Sequence, residues 1–185
     1  MPMNINVVPT ELEGVLRIEP QSFEDERGFF FESYSKARFQ EHGLNLDFVQ
    51  DNHSRSARNV LRGFHFQDNT QPQWRLVRCS VGEIFDVVVD LRRSSPTFGK
   101  WLGTTLTGGS HRMIWVPAGF AHGYLVLSEH AIVMYKTTDF YAPAQERTIA
   151  WNDPVLAVRW PLEGSPIVSE KDQRGSAFRS ADCFD

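Results

Sequence analysis

The chain has 185 residues, of which 41% are hydrophobic and 23% are charged, and its formal net charge at pH 7 is −4. This composition is typical of a soluble globular protein, and the length predicts a single domain over residues 1–185. The acidic balance argues against a surface that binds a nucleic acid polymer, for which a basic excess is expected.

The two cysteines, Cys79 and Cys183, are far apart in the sequence and too few to form a disulfide framework. Such cysteine usage indicates a reducing compartment. The first eight residues lack the basic start and long apolar run of a signal peptide, and no window has the apolar length of a membrane span. We therefore expect a cytoplasmic protein that does not associate with a membrane.

Short apolar runs recur every eight to twelve residues and are separated by Gly and Pro, which is typical of an all-β sandwich or barrel. The runs predict strands at residues 15–18, 29–34, 60–67, 74–80, 84–91, 101–107, 112–116, 122–127 and 131–137. One helix of note is expected at Lys36–His42, with Ser35 as its N-cap and Gly43 as its stop. The polar run Gln50–Ser54 reads as a solvated loop, and the polar tail, 167–185, is expected to be only partly ordered.

The segment Val60–Gln67 carries the first candidate for chemistry. Side chains alternate between the two faces of a strand, so Leu61, Gly63, His65 and Gln67 are expected on one face and Arg62, Phe64 and Phe66 on the other. A histidine on a rigid strand that faces a sheet interior is well placed for proton transfer. From this segment alone, a histidine that is simply bonded within the core remains the alternative.

A second motif, Pro117-Ala118-Gly119-Phe120-Ala121-His122, has a P-x-G-x-x-H spacing that resembles the second motif of the cupin superfamily. The resemblance implies an all-β, cupin-type jelly-roll barrel (a double-stranded β-helix) with a few short helices. Metal-binding cupins carry an earlier H-x-H pair, whereas this chain has His65-Phe66-Gln67. We therefore expect no metal and no cofactor, and a metal-dependent cupin oxygenase or isomerase that uses His65 and His122 remains a rival.

A more specific resemblance extends from about Glu13 to Asp172. The chain resembles the dTDP-4-dehydrorhamnose 3,5-epimerase family in a series of ordered blocks. These blocks are Asp25-Glu26-Arg27-Gly28-Phe29-Phe30-Phe31-Glu32-Ser33, Phe48-Val49-Gln50-Asp51-Asn52-His53-Ser54, residues 60–67, Val87-Val88-Val89-Asp90-Leu91-Arg92, Ser95-Pro96-Thr97-Phe98-Gly99, residues 115–123, Tyr135-Lys136-Thr137-Thr138-Asp139, Trp151-Asn152-Asp153-Pro154 and Ser169-Glu170-Lys171-Asp172.

This resemblance implies an isomerase whose substrate is a dTDP-linked 4-keto-6-deoxy sugar. The C4 ketone acidifies the hydrogens on C3 and C5, a base removes one of them, and an acid returns a proton to the opposite face of the enolate. By the resemblance, His65 is the base, Asp172 is its orienting partner and Tyr135 is the acid. The family usually has Gly-Lys at the position that stabilises the enolate, where this chain has Trp74 and Arg75.

The resemblance also implies a set of substrate-binding residues and a homodimer. Arginine and lysine suit the diphosphate through charge-assisted hydrogen bonds, and Tyr141 matches the family aromatic that stacks on thymine. The implied binding residues are Arg27, Glu32, Gln50, Asp51, Asn52, Arg62, His122, Tyr141, Glu146 and Lys171. Because an N-terminal segment crosses the dimer interface in the family, Arg27 and Glu32 are expected to serve the partner's site.

The Trp74–Arg75 change leaves a second catalytic hypothesis open, namely an epimerase that acts at C3 or C5 alone. A third hypothesis is a binding module for nucleotide sugars that has no activity. Arginine retains the positive charge of lysine but distributes it over a planar group, so the two residues are not equivalent. The identity of residue 75 therefore bears directly on which carbons exchange.

Overall fold

The computed structural model describes residues 3–185, which form two antiparallel sheets, a separate hairpin and two short helices. The strands of this part of the chain are β1 (Ile5–Pro9), β2 (Leu16–Pro20), β3 (Ser22–Asp25), β4 (Gly28–Phe31), β5 (Gln50–Ala57), β6 (Leu61–Gln67), β7 (Arg75–Val81), β8 (Glu83–Asp90), β9 (Trp101–Thr107), β10 (Met113–Val116), β11 (Phe120–Val126), β12 (His130–Thr137) and β13 (Glu146–Thr148). The helices are α1 (Lys36–Glu41) and α2 (Glu170–Gln173). Within residues 3–185, no helix has the length and apolar character to cross a membrane.

The two sheets have the topology of a jelly roll. One sheet has the strand order β1-β2-β10-β7-β12-β5, and the other has the order β13-β6-β11-β8-β9. From β5 onward the chain changes sheet between almost all successive strands, which closes the two sheets around a common interior. The predicted all-β cupin-type fold with a few short helices is therefore confirmed.

The apolar core fills only part of the space between the sheets. Val77 and Ile114 from the six-stranded sheet pack with Val88 and Leu106 from the five-stranded sheet, and all four are almost fully buried. Burial of such side chains contributes most of the favourable free energy of folding. The remaining part of the interior is lined by polar side chains and forms the candidate site.

The C-terminal tail packs onto the outer face of the five-stranded sheet, so the expectation of a partly ordered tail is wrong. Phe178 and Phe184 join Phe64 and Phe66 in a second buried cluster. The backbone of Phe184 also exchanges hydrogen bonds with the segment after β8, at Leu91 and Arg93. The few apolar residues of the tail thus bury enough surface to anchor a segment that is mostly polar.

The predicted loop at Gln50–Ser54 is the start of strand β5, so this prediction is also wrong. Its register partners are Thr137 to Val133 of β12. The segment lacks the apolar residues of an ordinary strand because one of its faces borders a polar cavity and the other borders solvent. Its hydrogen bonds to β12 therefore define it as a strand where composition does not.

A β-bulge at Gly63 changes the predicted faces of β6. His65 is opposite His122 and Arg62 is opposite Tyr124, so three steps along β6 match two steps along β11. The extra residue reverses the alternation of side chains, and the side chains of Arg62 and His65 both reach the polar interior. The prediction that Arg62 shares a face with Phe64 and Phe66 is therefore wrong.

Replacement of Gly63 by alanine is expected to destabilise the protein by about 3 kcal/mol. Gly63 has φ +118°, and an added Cβ would lie 2.6 Å from the Cα of Gly123 and 2.7 Å from the carbonyl oxygen of His122. Urea denaturation measures the change in the free energy of unfolding. Gly109→Ala is the matched control, because a Cβ there meets no atom within 4 Å, and a Gly63→Ala protein no less stable than this control would contradict the bulge.

Candidate active site

The polar interior is a cavity of about 350 Å³ between the two sheets. It brings together most of the residues that the sequence predicts for catalysis and binding. Those that line it are Gln50, Asn52, Arg62, His65, Arg75, His122, Tyr135, Tyr141, Glu146 and Lys171. Because they come from both sheets, from the segment that follows β12 and from α2, the fold assembles them from distant parts of the chain.

A histidine–aspartate pair forms one wall of the cavity. His65 Nε2 lies 2.5 Å from Oδ1 of Asp172, although 107 residues separate them. Asp172 belongs to α2, whose N-cap Ser169 accepts a hydrogen bond from the Asp172 amide at 3.1 Å. Burial opposes ionisation of this carboxyl, but its hydrogen bond to His65 and the nearby positive charges hold its pKa below its usual range. The predicted contact between His65 and Asp172 is therefore present.

Tyr135 lies on the sheet opposite to His65. It belongs to β12 of the six-stranded sheet, His65 belongs to β6 of the five-stranded sheet, and both side chains line the same cavity. An imidazole and a phenol therefore border one space from two sides. This arrangement suits the removal of a proton from one face of a bound ring and the return of a proton to the other face.

Arg75 also lines the cavity, where it contacts the backbone of His65 and lies near Tyr135. Its Nη1 donates a hydrogen bond to the carbonyl oxygen of His65 at 2.9 Å, and its buried Nε has no hydrogen-bond partner among the described residues. Burial lowers the pKa of this guanidinium, while the nearby Tyr135 and Glu146 oppose that shift. Arg75 thus presents a poorly solvated cation to the cavity, where its attraction for a developing anion is strong.

Trp74 does not occupy the cavity, although it directly precedes Arg75. Its ring lies 5.8 Å from that of Trp115, centroid to centroid, and it packs against the buried cluster that includes Phe39. Its backbone amide donates to the Thr138 hydroxyl at 3.0 Å. The large side chain of Trp74 therefore packs outside the cavity.

His122 forms a second histidine–carboxylate pair. It lies on β11, directly opposite His65 of β6. Its Nε2 lies 2.8 Å from Oδ2 of Asp86, which is fully buried and whose Oδ1 has no partner in the described residues. In the part of the chain that the structure describes, no group of three or more His, Cys, Asp or Glu side chains could hold a metal ion. Each of the two histidines forms a hydrogen bond between its Nε2 and an aspartate.

Glu146 links two other predicted binding residues at the edge of the cavity. Its Oε2 accepts a hydrogen bond from the Tyr141 hydroxyl at 2.8 Å, and its Oε1 accepts one from Lys171 Nζ at 2.8 Å. Burial opposes ionisation of Glu146, but these hydrogen bonds and the charge of Lys171 hold its pKa below its usual range. A carboxylate, a phenol and an ammonium group are thus fixed relative to one another.

Asp51 lies outside the cavity, so the prediction that it binds the ligand is not supported within this chain. Gln50 and Asn52 face inward on β5, and alternation turns Asp51 outward, where it forms an ion pair with Lys136 at 2.8 Å. A loop does not separate Asp51 from Gln50 and Asn52, whereas a strand places it on the opposite face.

Arg27 and Glu32 also lie outside this chain's cavity. Arg27 is at the turn of the β3–β4 hairpin, where it pairs with Asp25 and its side chain is 85% exposed. Glu32 directly follows β4. The structure therefore does not bring these two residues to the site of their own chain.

Several polar residues line the cavity without having been predicted for the site. They are Ser54, Gln67, Gln73, Tyr124 and Thr137. Tyr124 is buried and its hydroxyl lies 2.9 Å from Ser54 Oγ, while Arg62 Nε donates to Ser56 at 3.1 Å. Alternation along β5 signals Ser54, and the shared face with His65 signals Gln67. Alternation likewise signals Tyr124, two residues after His122 on β11, and Thr137, two residues after Tyr135 on β12, whereas Gln73 has no comparable signal.

Comparisons with known proteins agree with this geometry. A sequence profile of the family described as dTDP-4-dehydrorhamnose 3,5-epimerase matches residues 9–180. The chain is 59% identical to the protein of that name from Pseudomonas aeruginosa over 171 residues, which cover 92% of this chain and 94% of the relative. It is 42% identical to a dTDP-4-dehydrorhamnose 3-epimerase from Streptomyces niveus, over 89% of this chain and 80% of the relative.

Among solved structures, the chain is similar to the dTDP-6-deoxy-D-glucose-3,5-epimerase from Legionella pneumophila, which was crystallised in complex with dTDP-4-keto-L-rhamnose. The TM-score is 0.93, the identity is 46%, and the match covers 97% of this chain and 95% of the other. The profile match, the identity over nearly the whole chain and the shared fold confirm the predicted resemblance. The chain belongs to the dTDP-4-dehydrorhamnose 3,5-epimerase family, a family of isomerases.

Proposed function

We propose that this protein epimerises C3 and C5 of a dTDP-linked 4-keto-6-deoxy-hexose, converting dTDP-4-dehydro-6-deoxy-D-glucose to dTDP-4-dehydro-L-rhamnose in cytoplasmic deoxysugar biosynthesis. The observation that carries the proposal is the His65–Asp172 pair and Tyr135 on opposite walls of one cavity. Family membership supports the same reaction.

Proton removal is assigned to His65. Because Asp172 engages Nε2, Nδ1 is the ring nitrogen left to accept the proton from C3 or C5 of the sugar. The electron pair of the broken C–H bond forms the enolate, whose negative charge resides on the C4 oxygen. The Asp172 carboxylate is ionised over the physiological range and stabilises the imidazolium that forms.

Stabilisation of the enolate and return of the proton are assigned to Arg75 and Tyr135. The guanidinium of Arg75 compensates the charge on the C4 oxygen. Tyr135 donates its phenolic proton to the carbon from the face opposite to His65, which inverts that carbon. The tyrosinate then recovers a proton and the imidazolium loses one, so that the enzyme is ready for the second carbon.

Recognition of the nucleotide is assigned to the edge of the cavity. Arg62 and Lys171 are suited to the diphosphate, and Tyr141, whose side chain is in part exposed beside the cavity, is suited to stack on thymine. Gln50, Asn52, His122 and Glu146 supply further polar contacts. These roles follow from family resemblance and from the shared cavity.

A homodimer accounts for Arg27 and Glu32, two of the three predicted binding residues that lie outside the cavity. The β3–β4 hairpin exposes Phe29 and Phe30, each at 60%, beside the exposed Arg27. Exposed aromatic residues of this kind are typical of an interface, and the partner's cavity would receive Arg27 and Glu32. Light scattering tests this proposal, and the mass of a single 21.2 kDa chain at micromolar concentration would contradict it.

The function is tested by proton NMR with dTDP-4-keto-6-deoxyglucose in deuterated water. Exchange at both C3 and C5, followed by formation of the L-rhamno product, supports the 3,5-epimerase. Exchange at C3 alone supports the activity named for the Streptomyces niveus relative. Absence of exchange with tight binding of dTDP supports the non-catalytic binding module.

Two replacements of Arg75 distinguish the effect of its charge on catalysis from the effect of its shape. Arg75→Met is expected to lower kcat by about 10²–10³-fold, because it removes a cation that acts on the developing enolate. Arg75→Lys is expected to stay within about tenfold of the wild type and to exchange both carbons, since the charge remains. The same NMR assay measures both variants, and equal losses in Met and Lys variants would contradict an electrostatic role.

A further inference from the structure

The segment Asp139–Ala142, which follows β12, places Tyr141 beside the cavity. Phe140 and Tyr141 are 62% and 54% exposed, so burial does little to fix their positions. Within residues 3–185, neither the amide nor the carbonyl of Asp139, Phe140 or Tyr141 forms a hydrogen bond with another backbone group. Some other part of the structure therefore has to hold this segment in place.

Gln67 supplies the first set of bonds to this segment. Its side-chain Oε1 accepts a hydrogen bond from the Ala142 amide at 2.8 Å. Its Nε2 donates to the carbonyl of Gln71 at 2.8 Å and, more weakly, to that of Phe140 at 3.4 Å. Gln67 is only 3% exposed, so this amide is almost completely committed to the two backbone segments.

Gln73 and Gln50 bind the same segment from other parts of the chain, and Gln71 Nε2 adds a weak bond to the Phe140 carbonyl at 3.5 Å. Gln73 Nε2 donates to the carbonyl of Asp139 at 2.8 Å and to that of Phe140 at 3.2 Å. Gln50 Oε1 accepts a hydrogen bond from the Tyr141 amide at 3.1 Å. Most hydrogen bonds to the backbone of this segment are thus made by primary amides, which donate and accept at once and carry no charge. The exceptions are the Phe140 amide, which donates to the Asp139 carboxylate at 2.8 Å, and the Thr137 hydroxyl, which also donates to the Asp139 carbonyl at 2.9 Å.

We propose that Gln50, Gln67 and Gln73 form a glutamine clamp that positions the Tyr141 ring for the nucleobase of the substrate. The clamp fixes the backbone of Tyr141, and Glu146 fixes its hydroxyl, so the ring is held at both ends before the ligand arrives. Such pre-organisation strengthens binding because less freedom is lost on association. This inference rests on the proposed function and assigns the clamp to affinity for the nucleotide, with no part in proton transfer.

The clamp is tested with Gln67→Leu, which removes all three bonds, and with Gln73→Leu, a less buried second variant. Calorimetric titration with dTDP is expected to give a Kd about tenfold higher for Gln67→Leu, with a matching rise in KM and kcat within about twofold. Gln67→Glu keeps the acceptor for Ala142 and is expected to restore part of the affinity. Gln40→Leu on α1 is the matched control, because among the described residues the Gln40 side chain bonds only to that of Asn45.

A double-mutant cycle separates positioning from a general structural effect. In a Tyr141→Ala background, Gln67→Leu is expected to change the Kd for dTDP by less than about twofold, since the ring that it positions is absent. Hydrogen exchange at the amides of Tyr141 and Ala142 is expected to accelerate in Gln67→Leu. An equal loss of affinity in both backgrounds, or a fall in kcat at unchanged Kd, would overturn the clamp.

Failure of the clamp and failure of the proposed function give different results. A wild-type protein that neither binds dTDP nor exchanges sugar protons overturns the proposed function. A wild-type protein that does both, with Gln67→Leu and Gln73→Leu binding dTDP as tightly as it does, overturns the clamp alone.

Discussion

His65→Asn is expected to lower kcat for deuterium exchange at C3 and C5 by about 10³-fold or more, while dTDP affinity stays within about threefold of the wild type. Asparagine retains polarity and approximate size, and its side-chain amide can still donate a hydrogen bond to the Asp172 carboxylate. It cannot take up a proton from carbon at neutral pH. The loss is therefore expected in turnover, measured by proton NMR, and not in binding, measured by calorimetry.

His42→Asn is the matched control for this change. His42 is an exposed residue that caps the C-terminal end of α1, and it does not line the cavity. It is expected to leave exchange within about twofold, as for an ordinary surface substitution. A His65→Asn protein with nearly full exchange would show that another group is the base, and His122 would be the first to test.

The sequence predicts the scaffold well because the scaffold depends on local patterns. Apolar runs bounded by glycine and proline locate most strands of the two sheets within two residues of their observed ends. The same reasoning misses β5, because the cavity makes its inward residues polar, and it also misses the short strands β1 and β13. Amino-acid composition therefore does not identify β5 as a strand, because β5 lines the polar cavity.

Two features of the site depend on tertiary structure and were not accessible to pattern analysis. The bulge at Gly63 brings Arg62 and His65 into the same space, and only the pairing with β11 reveals it. The contact between His65 and Asp172 spans 107 residues, so only resemblance to a family could predict it. The packing of Trp74 also depends on tertiary structure. Its contact with Trp115 outside the cavity could not be predicted from its position beside Arg75 in the sequence.

Tyr135→Phe is expected to separate proton exchange from inversion. His65 and Asp172 are untouched by this change, so the C–H bond still breaks and the imidazolium can exchange its proton with deuterated solvent. Without a phenol on the opposite wall, the enolate recovers its deuteron from His65, on the face it left. Formation of inverted product is therefore expected to fall by about 10²–10⁴-fold, while deuterium incorporation into recovered substrate falls by less than about tenfold.

Tyr124→Phe is the sharpest comparison, because Tyr124 is a buried phenol that lines the same cavity as Tyr135. Tyr124 lies on β11, in the same sheet as His65, and its hydroxyl is bound to Ser54. From that side it cannot deliver a proton to the face opposite to His65, so its loss is expected to leave exchange and inversion coupled. Proton NMR of substrate and product signals over time distinguishes the two variants. Uncoupling in Tyr124→Phe, with exchange and inversion still coupled in Tyr135→Phe, would assign the acid to Tyr124 and reverse the geometry on which the mechanism rests.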